Sequence, residues 1–387
     1  MVLEYKLPVD GLEILLRRHS AAGCAGPPVL LIHGGNTNSK MYSEPNGGLV
    51  KYLLERERDI WTLDWRCSEA VVAPLQRRGP LGDNIQKERE LYTLDRAASQ
   101  DIPAALGQMR DAGVTGEIGV LGFCLGGGSL SMAVARGYLE KLGVGNVVLV
   151  TMGLFYEVPW NGWIKAEDYI IERMLGSAPN CRVIDPAHPE EWPAEMTSAY
   201  ERWPRSWLPP GNEPIDVLFQ HLTFMYGEPY ARGRLTRAFE ERLLTGFFGP
   251  VVVGTYLHAG QNVRRGYAAR NNEPDVVDRS RLDVPPGNQT AIRGDLRPTY
   301  FKNKRVTSVA GADDRLWHRD SMDLMYEWLR NEATEPGERD RHRKHVFPHY
   351  GHLDLFWSED AKQDVYPSLD TALTQPALGH TTGTRHQ

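Results

Sequence analysis

The chain is poor in cysteine, with four in 387 residues and no CxxC pair. Cys24, Cys67, Cys124 and Cys181 lie far apart, which argues against a disulfide framework and a structural zinc site. Long hydrophobic runs are missing too: no stretch approaches the roughly 18 consecutive apolar residues of a spanning helix. The N-terminal segment has no basic stretch followed by an apolar one, so no secretory signal is expected and a reduced, cytoplasmic setting fits best. Nor does charge of one sign dominate. Lys and Arg number 44 against 50 Asp and Glu, a formal net charge of −6, which gives no general electrostatic reason to bind nucleic acid or an anionic membrane.

What is present is an alternating rhythm of strands and helices. Residues 2–17 alternate apolar and polar and break at Asp10-Gly11, which predicts an opening hairpin. Apolar runs at 29–33, 59–65, 117–122 and 146–150 predict buried strands, with helical spacing over 97–112 and again from 125 to 142. That order predicts an α/β fold with a mostly parallel sheet and helices on both faces. The rhythm stops after Met152. Residues 154–300 are rich in Trp, Pro and Tyr, with helical stretches such as 237–244, as expected of an inserted, mostly helical cap. It returns with a strand at 305–310, a helix over 318–330, a basic exposed segment at 335–344 and a last strand at 345–347. The expected division is therefore core at 1–153, cap at 154–300, core again at 301–368, and a flexible tail at 369–387.

The sharpest chemical signal is Gly122-Phe123-Cys124-Leu125-Gly126-Gly127, at a strand-to-helix junction. Gly-x-nucleophile-x-Gly is a sharp turn that lifts the central side chain above the sheet, and the small flanking residues let strand and helix close around it. Here the raised group is a thiol, at the positive end of the following helix, whose field favours the thiolate. A cysteine in such a place is also an ordinary small buried side chain. Two later segments tilt the reading, because they fall in the order nucleophile, acid, histidine. Ala312-Asp313-Asp314-Arg315 follows a strand and supplies an acid; Gly351-His352-Leu353 follows the last strand and supplies a base. His352 would take the thiol proton and an aspartate would fix its tautomer, Asp314 by preference and Asp313 as the alternative. The backbone N–H groups of Leu125 and Gly35 are the expected oxyanion donors.

Taken together, Ile32-His33-Gly34-Gly35, Leu63-Asp64-Trp65-Arg66, the Cys124 turn and Tyr350-Gly351-His352-Leu353-Asp354 resemble the α/β-hydrolase group fused to cholesterol-oxidase-like flavoproteins. Residues 222–227 and 364–367 add to the resemblance, and the turn is similar to that of polyhydroxyalkanoate synthases. Phe123 departs from the fused group, which has histidine before the cysteine. The resemblance implies an α/β-hydrolase fold and Cys-His-Asp acyl transfer, with no metal and no organic cofactor.

The expected activity is thus transfer of an acyl group through an acyl-cysteine intermediate. The donor is a small-molecule ester or thioester, with coenzyme A- or carrier-protein-linked donors included, and the acceptor is a small-molecule nucleophile. A thioester intermediate favours amine or carbanion acceptors, hence acyltransferase or condensing chemistry. Hydrolysis by an esterase or thioesterase is the alternative, and a non-catalytic binding protein on the same fold is the other. Phe123, Trp317, Phe155 and Tyr156 are the candidate pocket residues; Trp160, Trp163, Trp203, Trp207, Phe219, Phe224, Phe247 and Phe248 are further aromatics that line the pocket or form the cap's own core.

Overall fold

The computed structural model describes residues 2–20, 24–76, 85–175, 178, 181–243, 247–271 and 296–376. Its centre is an eight-stranded sheet in the order β1-β2-β4-β3-β5-β6-β9-β10. The strands are β1 (Leu3–Val9), β2 (Leu12–Arg18), β3 (Pro28–Ile32), β4 (Asp59–Asp64), β5 (Ile118–Phe123), β6 (Val144–Val150), β9 (Arg305–Gly311) and β10 (Arg343–Phe347). From β4 to β10 every pairing is parallel, and only the β1–β2 hairpin runs antiparallel onto β4. The parallel strands are covered on both faces, so β3, β5 and β6 are buried along their whole length and need no polar alternation. The expected mostly parallel sheet with helices is the one observed.

Between β6 and β9 the chain forms helices, among them Trp160–Glu167, Pro214–Met225 and Val253–Arg265, and a two-stranded ribbon of β7 (Val183–Ile184) and β8 (Val251–Val252). This stretch has a buried apolar cluster of its own, including Met174, Trp192, Met196 and Tyr256. Residues 272–295 of the expected cap, and Leu244 of the expected helix at 237–244, lie outside the described residues.

Three expectations need correction. The helix after Cys124 ends at Ala135, not at 142. Gly137 adopts φ +75°, its N–H bonds Val134 O at 2.9 Å, and Tyr138 N bonds Ala133 O at 3.0 Å, so a left-handed glycine closes the helix. The tail does not start at 369, because Tyr366–Leu373 is a helix. Leu369, Ala372 and Leu373 share one buried face, and Asn146 Nδ2 donates to Leu373 O at 3.0 Å; residues 377–387 are outside the described part. Finally, the charged segment 335–344 is not wholly solvated. Glu338 and His342 are buried, and the Glu338 carboxylate accepts from the Thr334 and Glu335 N–H groups.

Candidate active site

The turn after β5 gives Cys124 φ +53° and ψ −128°, a conformation that a non-glycine residue holds only under constraint. The constraint is visible. Cys124 N donates to Val150 O at 3.0 Å, and Cys124 O accepts from Gly128 N at 3.0 Å, which locks the residue between β6 and the helix Leu125–Ala135. That helix must also approach the end of β3 closely. A Cβ on Gly126 would stand 2.3 Å from His33 O, so glycine is required there. Leu125 opens the helix and its N–H has no intrahelical acceptor.

The loop after β3 brings Gly35 beside this turn, where a Cβ would meet Leu125 Cδ1 at 2.8 Å. Its neighbours are held by buried polar groups. His33 Nδ1 lies 2.7 Å from Gly34 O, and His33 O accepts from Trp65 Nε1 at 3.1 Å. Asp64, at the end of β4, accepts from Ser39 N at 2.6 Å, from Ser68 Oγ at 2.9 Å and from Arg17.

The loop after β9 carries the acid and the loop after β10 the base. Asp314 is buried; its Oδ1 accepts from Leu316 N at 2.9 Å and Trp317 N at 3.0 Å, and its Oδ2 lies 2.8 Å from His352 Nδ1. Asp313, one residue earlier, points outward, and its nearest basic partner is His349 at 4.0 Å. Of the two candidate aspartates, the structure therefore brings Asp314 to the imidazole. Burial by itself disfavours the charged form of His352, but Asp314 and Cys124 outweigh it and raise the pKa to about 10. The imidazole is also packed: the Phe123 ring centroid lies 4.7 Å from it.

Trp317 comes closer to the sulfur than its neighbourhood to the acid foretold. Its indole Nε1–H donates to Cys124 Sγ at 3.3 Å. Asp314 holds the Trp317 N–H and Tyr156 packs edge-on behind the indole, with ring centroids 5.5 Å apart. One carboxylate thus orients both the imidazole and the indole.

Cys124 and His352 open onto a narrow cavity of about 90 Å³, lined mainly by apolar groups. Gly35, Leu125, Phe123 and Trp317 border it as expected. Phe155 and Tyr156 do not: Phe155 packs on Trp328, and Tyr156 sits behind Trp317 with its phenol turned toward the helix Leu125–Ala135 near Gly128. Of the other aromatics proposed from the sequence, only Phe248 reaches the wall. Trp203 packs edge-on against Phe224 and Trp207, and Phe224 stacks on Trp192, while Trp160 is exposed. His258, a further histidine of this segment, is buried away from the cavity and accepts from Leu94 N at 3.1 Å.

The far wall was not foreseen. It consists of Gly162, Lys165 and Ala166 on one helix face, with Val158 just before that helix, and Tyr256, Ala259, Gly260 and Val263 on another. The spacing of three and four is the signal that could have found it, since it lays each set on one side of a helix. Tyr226 joins the two walls, donating its hydroxyl to Asn36 Oδ1 next to Gly35.

Comparison with known proteins places this geometry in a family. A model described as the alpha/beta hydrolase family matches residues 29–367, and the chain belongs to that family. Solved structures share the fold at low identity. A soluble variant of monoglyceride lipase from Saccharomyces cerevisiae, in complex with a substrate analog, superposes with a TM-score of 0.54 at 11% identity, covering 97% of this chain and 96% of that one. A bromoperoxidase from Bacillus anthracis gives 0.51 at 14%, covering 96% and 99%, and a lipase in its open form gives 0.52 at 14%, covering 96% and 98%. No curated protein matches significantly. Among the described residues, no helix is long and apolar enough to cross a membrane.

Proposed function

We propose that the protein is a Cys-His-Asp acyl-transfer enzyme with a cap formed by residues 154–300, acting on a small-molecule ester or thioester. The observation that carries this reading is the Asp314–His352 pair at 2.8 Å beside a sulfur that receives the Trp317 indole N–H, with Cys124, His352 and Trp317 lining an apolar cavity.

The Cys124 sulfur attacks the donor carbonyl, and a C–S bond forms as the carbonyl π electrons move to oxygen. The Leu125 and Gly35 N–H groups stabilise that oxyanion. The His352 imidazolium protonates the departing alcohol or thiol as its bond to carbon breaks, leaving an acyl thioester on Cys124. An acceptor X–H then gives its proton to His352 and attacks the thioester, and Cys124 leaves as thiolate beside the restored imidazolium. A serine in this place would give an oxoester. The thioester instead favours amines and carbanions over water, so an acceptor other than water is the better fit. The similarity of the cysteine turn to that of polyhydroxyalkanoate synthases supports the same reading.

Hydrolysis is the second reading, favoured by the family itself and by the lipase neighbours. The deciding experiment is intact-protein mass measurement after exposure to a panel of acyl esters and thioesters. An acyl adduct that vanishes in Cys124→Ala is expected, with turnover falling by about four to six orders of magnitude. Competition between water and an added amine or alcohol for the acyl-enzyme separates transferase from hydrolase. No adduct and no turnover over the panel would leave a binding protein.

A further inference from the structure

One side chain on the cavity wall is out of keeping with the rest. Lys165, on the helix Trp160–Glu167, is only 2% exposed and faces the cavity together with Gly162 and Ala166. Its Nζ donates to Phe224 O at 2.8 Å and Met225 O at 3.3 Å, the last carbonyls of the helix Pro214–Met225. The ammonium also lies 5.7 Å from the centroid of the Trp203 ring. All these partners are neutral. Burial is the only influence on its pKa, which falls to about 7, with no carboxylate opposing the effect among the described residues.

A buried lysine is rare unless it is paired, because an uncompensated charge is costly to remove from water. Capping the end of the helix Pro214–Met225 does not call for that charge, since a neutral amide donor would serve. Two carbonyls occupy two of the three ammonium donors, and one N–H is left for a ligand. The wall around it is apolar, built from Val158, Ile171, Leu222, Met225, Ala259 and Val263. Cys124 and His352 line the same cavity.

We propose that this cavity binds an acyl group bearing a carboxylate at its far end, with Lys165 as the counter-charge. The inference rests on reading the cavity as the acyl site of Cys124. The carbonyl to be attacked sits at Cys124, an aliphatic segment crosses the apolar middle, and the carboxylate meets the ammonium. The substrates are then mono-esters or mono-thioesters of dicarboxylic acids, not simple fatty esters.

The test is calorimetric binding to the full chain carrying C124A, which cannot form the adduct. Its outcome is therefore separate from that of the acyl-transfer reading, which is judged by the adduct on the unmodified chain. The ligands are monomethyl esters of straight-chain dicarboxylic acids of graded length, each compared with the methyl ester of the matching monocarboxylic acid. At the length that fits, the carboxylate ligand binds at least about tenfold tighter, as for a charge-assisted hydrogen bond. That preference falls by about tenfold in C124A/K165M and in C124A/K165Q; the glutamine keeps a donor for Phe224 O and with it the helix end. Thermal melts establish that each variant is folded. Equal or weaker binding of the carboxylate series to C124A at every length overturns the proposal, as does no binding of either series. A preference that survives in folded C124A/K165Q overturns it too.

Discussion

The cavity has two unlike walls. The floor is made of single residues at the ends of strands, Gly35 after β3, Cys124 after β5 and His352 after β10, with Asp314 after β9 behind the imidazole, each aimed by a loop anchored in the sheet. The far wall is made of helix faces, where Gly162, Lys165 and Ala166, or Tyr256, Ala259 and Val263, act as sets. The floor is fixed by backbone hydrogen bonds and strained turns; the far wall is fixed by side-chain packing and one helix end. The contrast teaches where chemistry and selectivity reside. Loss of one floor group should end the reaction, whereas loss of one far-wall group should change what is accepted.

The largest break expected is therefore on the floor. His352→Ala should lower turnover by several orders of magnitude. Asp314→Asn should lower it by about 10⁴-fold, because the amide presents its NH₂ to His352 Nδ1 and selects the wrong tautomer. Asp313→Asn, whose side chain points outward, should stay within about threefold. Steady-state rates of the three variants check this, and equal losses at both aspartates would overturn the assignment of the acid. The pH dependence has a definite sign. With its pKa raised to about 10, His352 can protonate a poor leaving group until pH climbs through that value. The stability linked to the same shift is full below the ordinary imidazole value of about 6.5 and is lost as pH rises through about 10. Asp314→Asn removes the largest raising influence, so the alkaline limb for an alkyl ester should move to lower pH.

The second comparison is one of stability. A methyl group on Gly126 meets the His33 backbone carbonyl at 2.3 Å, and the strand cannot yield without moving the loop that carries Gly35. Gly126→Ala should cost about 3 kcal/mol or more. On the far wall, a methyl group on Gly162 first meets the Val158 side chain, at 3.3 Å, and gains helix propensity. Gly162→Ala should stay within about 1 kcal/mol of the parent. Urea midpoints measure both, and similar costs would mean that the far wall is as tightly determined as the floor.

Trp317 tests how much of the floor lies beyond the Cys-His-Asp set. Trp317→Phe keeps an aromatic wall and removes the N–H from the sulfur, so acylation should slow by about tenfold with substrate binding little changed. This residue also marks the limit of what the sequence disclosed. The meeting of Cys124, Asp314 and His352 was legible because each follows a strand and the three fall in a fixed chain order, a pattern carried by short local segments. That the Trp317 indole would face the sulfur was not legible, because its direction is set by Asp314 and by Tyr156 packing behind it. The parallel sheet was legible for the same local reason as the floor. Phe155 and Tyr156 misled because aromatic content does not say which side of a wall a ring occupies. Lys165 escaped notice because its meaning lies in the Phe224 and Met225 carbonyls, about 60 positions away in the chain.

A small effect is expected where the two walls meet, at Asn36. This residue adopts φ +54° beside Gly35; its Nδ2 donates to Gly249 O at 2.8 Å, its own carbonyl accepts from Gly249 N at 3.1 Å, and its Oδ1 accepts the Tyr226 hydroxyl. Three hydrogen bonds therefore tie the loop carrying Gly35, the proposed oxyanion donor, to the segment between β6 and β9. Tyr226→Phe removes one of the three and leaves Asn36 Oδ1 buried without that donor, while the ring still packs on Tyr256. The remaining two bonds hold the loop near its place, so the loss is not that of a missing floor group. If the joint orients Gly35, the rate of acylation should fall by about three- to tenfold with little change in substrate binding. If the hydroxyl instead belongs to the selective wall, the change should appear in binding and differ from one acyl chain to another. Single-turnover acylation measured over a range of substrate concentrations, for two acyl chain lengths, separates the outcomes. It also decides whether Asn36 belongs with the reacting groups or with the groups that choose among substrates.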